Sequence, residues 1–292
     1  LIGALLLALV NVTYAQSRPS SILILTDDQG YGDLSCHGNP ILRTPNLDRL
    51  HSESVRFTNF HVSPTCSPTR AALLTGRHEF KNGVTHTIYE RERLTLSAIT
   101  LAEVLRQNGY ATGIFGKWHL GAAPYLPENQ GFDLNVGGSE VGLAPSYFCP
   151  YKGKNFFVDK IPGCKEGEYL TDRLADEAVK FIEANKNKPF FLYLAHYAVH
   201  VPLQSKKDLE EKYKAKASKI TVSESEHFGR EGTRKVNLIQ DNATYAGMMQ
   251  SVDESIGKVL EKLHELNLSD NTVIIFMSDN GGEIGRASWR GR

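Results

Sequence analysis

The sequence predicts an α/β fold, a mostly parallel central sheet flanked by helices on both faces. Three observations carry this. Short, continuous apolar runs recur at Ser21–Thr26, Pro189–Ala195 and Thr272–Ser278, with a weaker fourth at Ala111–Phe115, as expected of strands buried on both faces. Segments with helical spacing lie between them, and strands alternating with helices imply parallel pairing. Two of the runs end in paired oxygen donors, Asp27-Asp28 and Asp279-Asn280. Ligand sites in open α/β sheets lie beyond the carboxyl ends of the strands.

In chain order, residues 1–15 form an apolar run too short to span a bilayer. Thr13 and Ala15 occupy the small-residue positions of a cleavage site before Gln16, so the run reads as the hydrophobic part of a secretory signal. It lacks an initiator Met and a basic leader, and a buried N-terminal helix is the other reading. The expected domain then covers residues 18–292. After the strand at 21–26, helical patterns follow at Asn46–Ser54, Ala71–Thr75 and Leu101–Asn108. The weaker strand comes next, then a helix over Tyr169–Asn185 and the strand ending at Ala195. Residues 205–240, rich in Lys, Glu and Ser, read as a solvated insertion. Over Tyr245–Leu266, Met249, Val252, Ile256, Val259, Leu260 and Leu263 keep helical spacing. There is no internal repeat and no low-complexity linker.

The 292 residues, 41% of them hydrophobic, suit one large domain or two small ones. The 33 basic and 33 acidic side chains balance, which argues against a nucleic-acid or membrane-surface partner held by bulk electrostatics. A local cationic pocket is still compatible with this balance.

Residues 66–77, Cys-Ser-Pro-Thr-Arg-Ala-Ala-Leu-Leu-Thr-Gly-Arg, are the most informative stretch. Ser67 can cap a helix and Pro68 suits its first position, so an exposed Cys66 is expected at the positive end of a helix, with Arg70 one turn on. By residues alone, a buried or capping cysteine fits equally. The pairs Asp27-Asp28 and Asp279-Asn280 offer three carboxylates and an amide oxygen, hard ligands suited to Ca²⁺ or Mg²⁺. Either pair alone is also common turn chemistry. Gly116-Lys-Trp-His-Leu-Gly121 brings Lys117 and His119 to one side of a loop, or is a turn with a solvated lysine. Of His196 and His200, the second is the candidate for chemistry and the first for structure. Ser139 is a further candidate for substrate binding.

These motifs, with Thr44-Pro-Asn-Leu-Asp48, resemble those of type I sulfatases, in the same order and across nearly all of residues 18–282. The branch most similar is that of arylsulfatase A and N-acetylgalactosamine-6-sulfatase, within the alkaline phosphatase superfamily. The resemblance implies an exported enzyme (secreted, periplasmic or lysosomal) that hydrolyses aryl or carbohydrate sulfate esters. It implies that a maturation enzyme converts Cys66 to formylglycine. It further implies Ca²⁺, or Mg²⁺, held by Asp27, Asp28, Asp279 and Asn280 and faced by modified Cys66. Arg70 would steady the formylglycine, Lys117 bind the sulfate, His119 assist release and His200 contact the leaving group. If Cys66 is catalytic, Cys149 and Cys164 are the natural pair, flanking a Gly/Lys/Pro-rich loop, and Cys36 is a free thiol.

The resemblance has a break. The family continues past the second metal motif with another sulfate-binding lysine and a small C-terminal subdomain, whereas residues 283–292 contain no lysine and do not extend the pattern. The expectation is a fragment lacking that subdomain, with low solubility and weak activity. Two alternatives stay open: a phosphate or phosphonate ester hydrolase of the same superfamily, and a non-catalytic, secreted Ca²⁺-binding protein.

Overall fold

The computed structural model describes residues 18–88, 90–221 and 223–282; the signal segment expected at 1–15 and the stretch 283–292 lie outside them. The elements are β1 (Ser20–Thr26), α1 (Pro45–Ser52), α2 (Cys66–Thr75), α3 (Glu79–Asn82), α4 (Leu101–Gln107), β2 (Ala111–Gly116), β3 (Leu134–Val136), α5 (Leu170–Ala184), β4 (Phe190–Ala195), α6 (Lys207–Ala217), α7 (Glu224–His227), β5 (Phe228–Glu231), β6 (Arg234–Asn237), α8 (Ala243–Glu265) and β7 (Thr272–Ser278). Five strands form one parallel sheet in the order β3-β2-β4-β1-β7. β5 and β6 form a separate antiparallel hairpin.

The continuous apolar runs are explained by two cores, one on each face of the sheet. Alternate strand residues go to opposite sides. Ile22, Ile24, Leu192 and Leu194 pack with Leu174 and Ala178 of α5 and with Met249, Val252 and Ile256 of α8. Leu23, Leu25, Ile114, Phe191 and Tyr193 pack with Ala71 and Leu74 of α2 and Trp118. Burying one such aliphatic side chain contributes roughly 1.5–3 kcal/mol, so β1 and β4, apolar on both faces, anchor the sheet. β7 differs: it is an edge strand, and Val273 and Ile275 are 50% and 47% exposed.

The register matters for function. β1 pairs with both β4 and β7, and Thr26 lies opposite Ser278. The two donor pairs therefore leave adjacent strands at the same level.

Two regions differ from the sequence reading. β3 was not expected, because three residues of mixed polarity give no periodic signal. Within 205–240, expected to be solvated throughout, α6 docks on the helical layer through Leu209 and Tyr213, both buried. Its long Lys and Glu side chains mask that narrow apolar stripe. Cys149 and Cys164 form a disulfide with Cα atoms 5.9 Å apart, and Cys36 and Cys66 are free thiols.

Candidate active site

Three chain segments meet at the carboxyl end of β1 and β7. The first is the start of α2. Thr65 enters it in an extended conformation and makes no side-chain cap; Pro68 fits the first turn, where its missing N–H has no helical acceptor to serve. Ser67 does not cap the helix as expected. Its hydroxyl donates instead to the carbonyl of His119 at 2.8 Å, tying the helix start to the following loop. Cys66, expected to be exposed, is 7% exposed, because that loop and the strand-end carboxylates close over it.

The second segment is the loop after β2. Gly116 has φ +109°, and a Cβ there would lie 2.0 Å from the carbonyl oxygen of Ala195; only glycine allows the close turn in which the Lys117 N–H donates to that oxygen at 2.7 Å. The turn sends Lys117 Nζ to within 2.5 Å of Asp27 Oδ2. His119, at φ +55°, brings its Nδ1 to 3.4 Å from Cys66 Sγ. Gly142 permits the approach of the next loop, since a Cβ there would meet the His119 ring at 2.3 Å. Ser139 joins through its backbone, its carbonyl accepting from the His119 N–H at 3.0 Å, while its hydroxyl oxygen accepts from the Val141 N–H at 3.3 Å.

The third segment is the pair of strand ends. Arg70 Nη2 donates to Asp279 Oδ2 at 3.0 Å and lies 3.8 Å from Asp27 Oδ1, while its Nη1 donates to the Lys117 carbonyl at 3.0 Å. The side chains of Asp27, Asp279, Arg70 and Lys117 are all fully buried. Asp28 bridges the two pairs. Its N–H donates to Asp279 Oδ1 at 3.2 Å, its Oδ1 accepts from Asn280 Nδ2 at 2.7 Å, and its Oδ2 lies 3.5 Å from His200 Nε2. His200 Nδ1 lies 2.9 Å from the Val201 carbonyl, so a proton there is donated to it.

Burial and charge act on these groups in opposite senses. Burial and the neighbouring Asp279 carboxylate push Asp27 well above the ordinary carboxylate range, against the pull of Lys117 and Arg70. Burial also raises Asp279, but Arg70 and Lys117 outweigh it and hold Asp279 below that range. Without a cation, the pKa values of the two carboxylates are thus pushed apart, Asp279 ionising before Asp27. Burial pushes the Cys66 thiol up. His119 is driven well below its usual value by burial and by Lys117 and Arg70, so it is neutral near pH 7.

The donor set fits a hard cation. One ligand atom each from Asp27, Cys66 and Asp279 lies within 4.8 Å of the others. Asp27 Oδ1 and Asn280 Oδ1 are buried acceptors with no hydrogen-bond donor, an arrangement that is unfavourable unless something supplies positive charge. A cation held by oxygen donors would satisfy both.

Sequence reasoning missed the braces of this site. Tyr245 on α8 donates to Asp33 Oδ2 at 2.6 Å, and Asp33 Oδ2 accepts from the Gly30 N–H at 2.9 Å, fixing the turn after Asp28. The Tyr193 hydroxyl, buried beside Arg70, is pushed up to about 12, chiefly by burial. A polar tip inside an apolar strand was its only signal. His196, as expected, lies in the core, with Nε2 3.3 Å from Ser255 Oγ, and its burial lowers it to about 3.

The sulfatase family's sequence profile matches residues 19–291. The chain belongs to the sulfatase family. It is similar to human N-acetylgalactosamine-6-sulfatase, 35% identical over 299 residues, covering 92% of this chain and 51% of that protein. Human arylsulfatase A is 32% identical over 319 residues, covering 98% of this chain and 56% of its own length. This sulfatase-family chain thus spans about half the length of the curated relatives it matches. Among solved structures, that of Ps i-CgsB superposes with a TM-score of 0.74 at 34% identity, covering 94% of this chain and 61% of that one. No helix among the described residues is long and apolar enough to cross a membrane.

Proposed function

We propose that this chain carries the catalytic centre of a sulfatase that hydrolyses sulfate esters of aryl or carbohydrate alcohols. The observation that carries the reading is the convergence of Cys66 with Asp27 and Asp279 within 4.8 Å, beside fully buried Arg70 and Lys117. In this reading residue 66 works as formylglycine, and Sγ marks where its oxygens would lie. A thiol whose pKa is raised by burial is a weak nucleophile at neutral pH, so the unmodified cysteine suits this chemistry poorly. The hydrated aldehyde provides a nucleophilic oxygen and a way to release sulfate afterwards, which serine or cysteine cannot.

Asp27, Asp28, Asp279 and Asn280 would hold one divalent cation, Ca²⁺ by donor type, with Mg²⁺ as the alternative. When bound, it offsets substrate charge and makes the attacking hydroxyl more acidic. Asp279, kept ionised by Arg70, accepts the proton from that hydroxyl. Lys117 binds a sulfate oxygen. Neutral His119, 3.4 Å from residue 66, accepts the second hydroxyl's proton as sulfate leaves. His200, at the partly exposed rim, donates to the departing alcohol, and Ser139 contributes to the binding wall.

Formal charge supports a monoanionic substrate. Three carboxylates facing Arg70 and Lys117 leave one negative charge, and a divalent ion makes it one positive. A sulfate ester, with a single negative charge, neutralises the filled site; a phosphate monoester dianion overshoots it. The reading also requires export through the 1–15 segment and a formylglycine-generating partner. The test is turnover of a panel of aryl and sugar sulfates by the full-length gene product matured with that partner, with phosphate and phosphonate esters in parallel. Sulfate release well above phosphate release supports the reading. A preference for phosphate or phosphonate replaces it with the sister activity, and no turnover of any ester leaves only cation binding.

A further inference from the structure

A second cluster of metal-ligating side chains lies away from the strand-end site, where the turn after β1 meets the last turn of α1. Cys36 Sγ and one ring nitrogen each from His37 and His51 lie within 4.8 Å of one another. We propose that Cys36, His37 and His51 form a binding site for a borderline-soft divalent ion of the zinc type, which clamps the turn to α1. Thiolate and imidazole are the donors such ions select, and three protein ligands leave the fourth, tetrahedral position to water. Bonds of about 2.0–2.3 Å place tetrahedral ligands about 3.3–3.6 Å apart, so the three side chains need only a small contraction.

The surroundings fit a ligand set better than three stray side chains. His51 Nε2 is buried and has no hydrogen-bond partner, an acceptor with nothing to accept. His37 Nδ1 lies 2.6 Å from the Tyr31 carbonyl, which fixes the proton on Nδ1 and leaves Nε2 as the donor atom. Imidazoles that bind metals are oriented by this kind of outer bond. Tyr31 stacks on His37 with ring centroids 4.1 Å apart, and His51 meets His37 edge-on at 5.6 Å. Asp48 accepts from the Cys36 N–H at 2.9 Å and from the Ser35 hydroxyl at 2.7 Å, holding the turn and adding negative charge beside the thiol. Arg56, 3.5 Å from the Tyr31 hydroxyl, is the opposing cation, and Asp48 offsets it.

Co²⁺ is the probe, added to the full chain already saturated with Ca²⁺ so that hard-ligand sites are filled. The site predicts one equivalent bound with a thiolate-to-cobalt charge-transfer band, and Zn²⁺ should displace it. Cys36→Ser should abolish the band and His51→Gln weaken binding at least tenfold, while Cys66→Ala keeps both. Zn²⁺ should raise the melting temperature of the parent chain and not of Cys36→Ser, a readout independent of the band. A parent chain without the band, a band that persists in both Cys36→Ser and His51→Gln, or one that disappears in Cys66→Ala alone overturns the assignment.

Discussion

Two ion clusters in this molecule use the same side-chain types in opposite surroundings. At the strand ends, Asp27, Asp279, Arg70 and Lys117 are fully buried. On the helical layer, Lys206 bridges Asp172 and Glu254, each at 3.1 Å, with side chains 25%, 29% and 41% exposed. The exposed bridge is stabilised little, about 0–1 kcal/mol, and costs little to form. The buried cluster carries a desolvation penalty of several kcal/mol per ion, and a hydrophobic replacement would stabilise the fold as well or better. Such a cluster is kept for what its charges do to a ligand, and that is the strongest energetic argument for a site here.

The largest expected effect comes from Cys66→Ala. In the matured, full-length protein it should lower sulfate release by at least about 10⁴-fold, while the free energy of unfolding in urea changes by only about 1 kcal/mol. Retention of substantial activity would remove residue 66 from the mechanism.

Next in size, Arg70→Met should destabilise the fold by about 3–5 kcal/mol, because it strands two buried carboxylates beside Lys117 alone. Added Ca²⁺ should recover part of the loss, since a cation there does the missing electrostatic work. Urea unfolding with Ca²⁺ and with chelator measures both. A loss below about 1 kcal/mol would mean that this cluster behaves like the surface bridge.

The pH dependence sharpens the contrast. Asp27 is raised, so between its ordinary and raised values the folded protein holds a proton that the unfolded chain has released. Without divalent cation, that contribution to stability is fully present below the ordinary range and is lost as pH rises through the raised value. Asp279 is lowered, so its contribution is present above the ordinary range and lost as pH falls through its lower value. In the proposed site Ca²⁺ would displace the Asp27 proton. Its binding should release a proton in the Asp27 window and flatten the decline, as calorimetry in two buffers and urea midpoints across pH would record. A calcium affinity independent of pH there would put Asp27 outside the site.

The smallest effect is reserved for the control cluster. Lys206→Met should change stability by less than about 1 kcal/mol and leave turnover unaltered, as paired denaturation and rate measurements check. A larger loss would show that the helical layer depends on that bridge.

Most of the sheet could be read from the sequence because burial on both faces turns β1 and β4 into continuous apolar runs, and β7, although an edge strand, keeps an apolar run as well. β3 could not, since three edge residues pair by position rather than pattern. The candidate site was legible as motifs, and parallel pairing of β1 with β7 turned the separate Asp27-Asp28 and Asp279-Asn280 pairs into neighbours. Its burial was not legible. Cys66 was expected to be exposed, with a buried cysteine fitting equally by residues alone, and a solvated Lys117 was one of two readings. The tight turn at Gly116, the Ser67–His119 bond and the strand-end carboxylates enclose both. Tyr245 was invisible for a related reason: in sequence, a buried tyrosine that braces a charge, as Tyr245 braces Asp33, looks like any other core aromatic.

The central claim is that residue 66 functions as formylglycine in an oxygen-lined cation site. It is tested most directly by the mass of the tryptic peptide Phe57–Arg70 from protein made with the maturation partner. The account predicts loss of the thiol sulfur at residue 66 and an aldehyde that reacts with hydrazide, in the fraction that is active. An intact cysteine thiol in protein that turns over sulfate esters would contradict it.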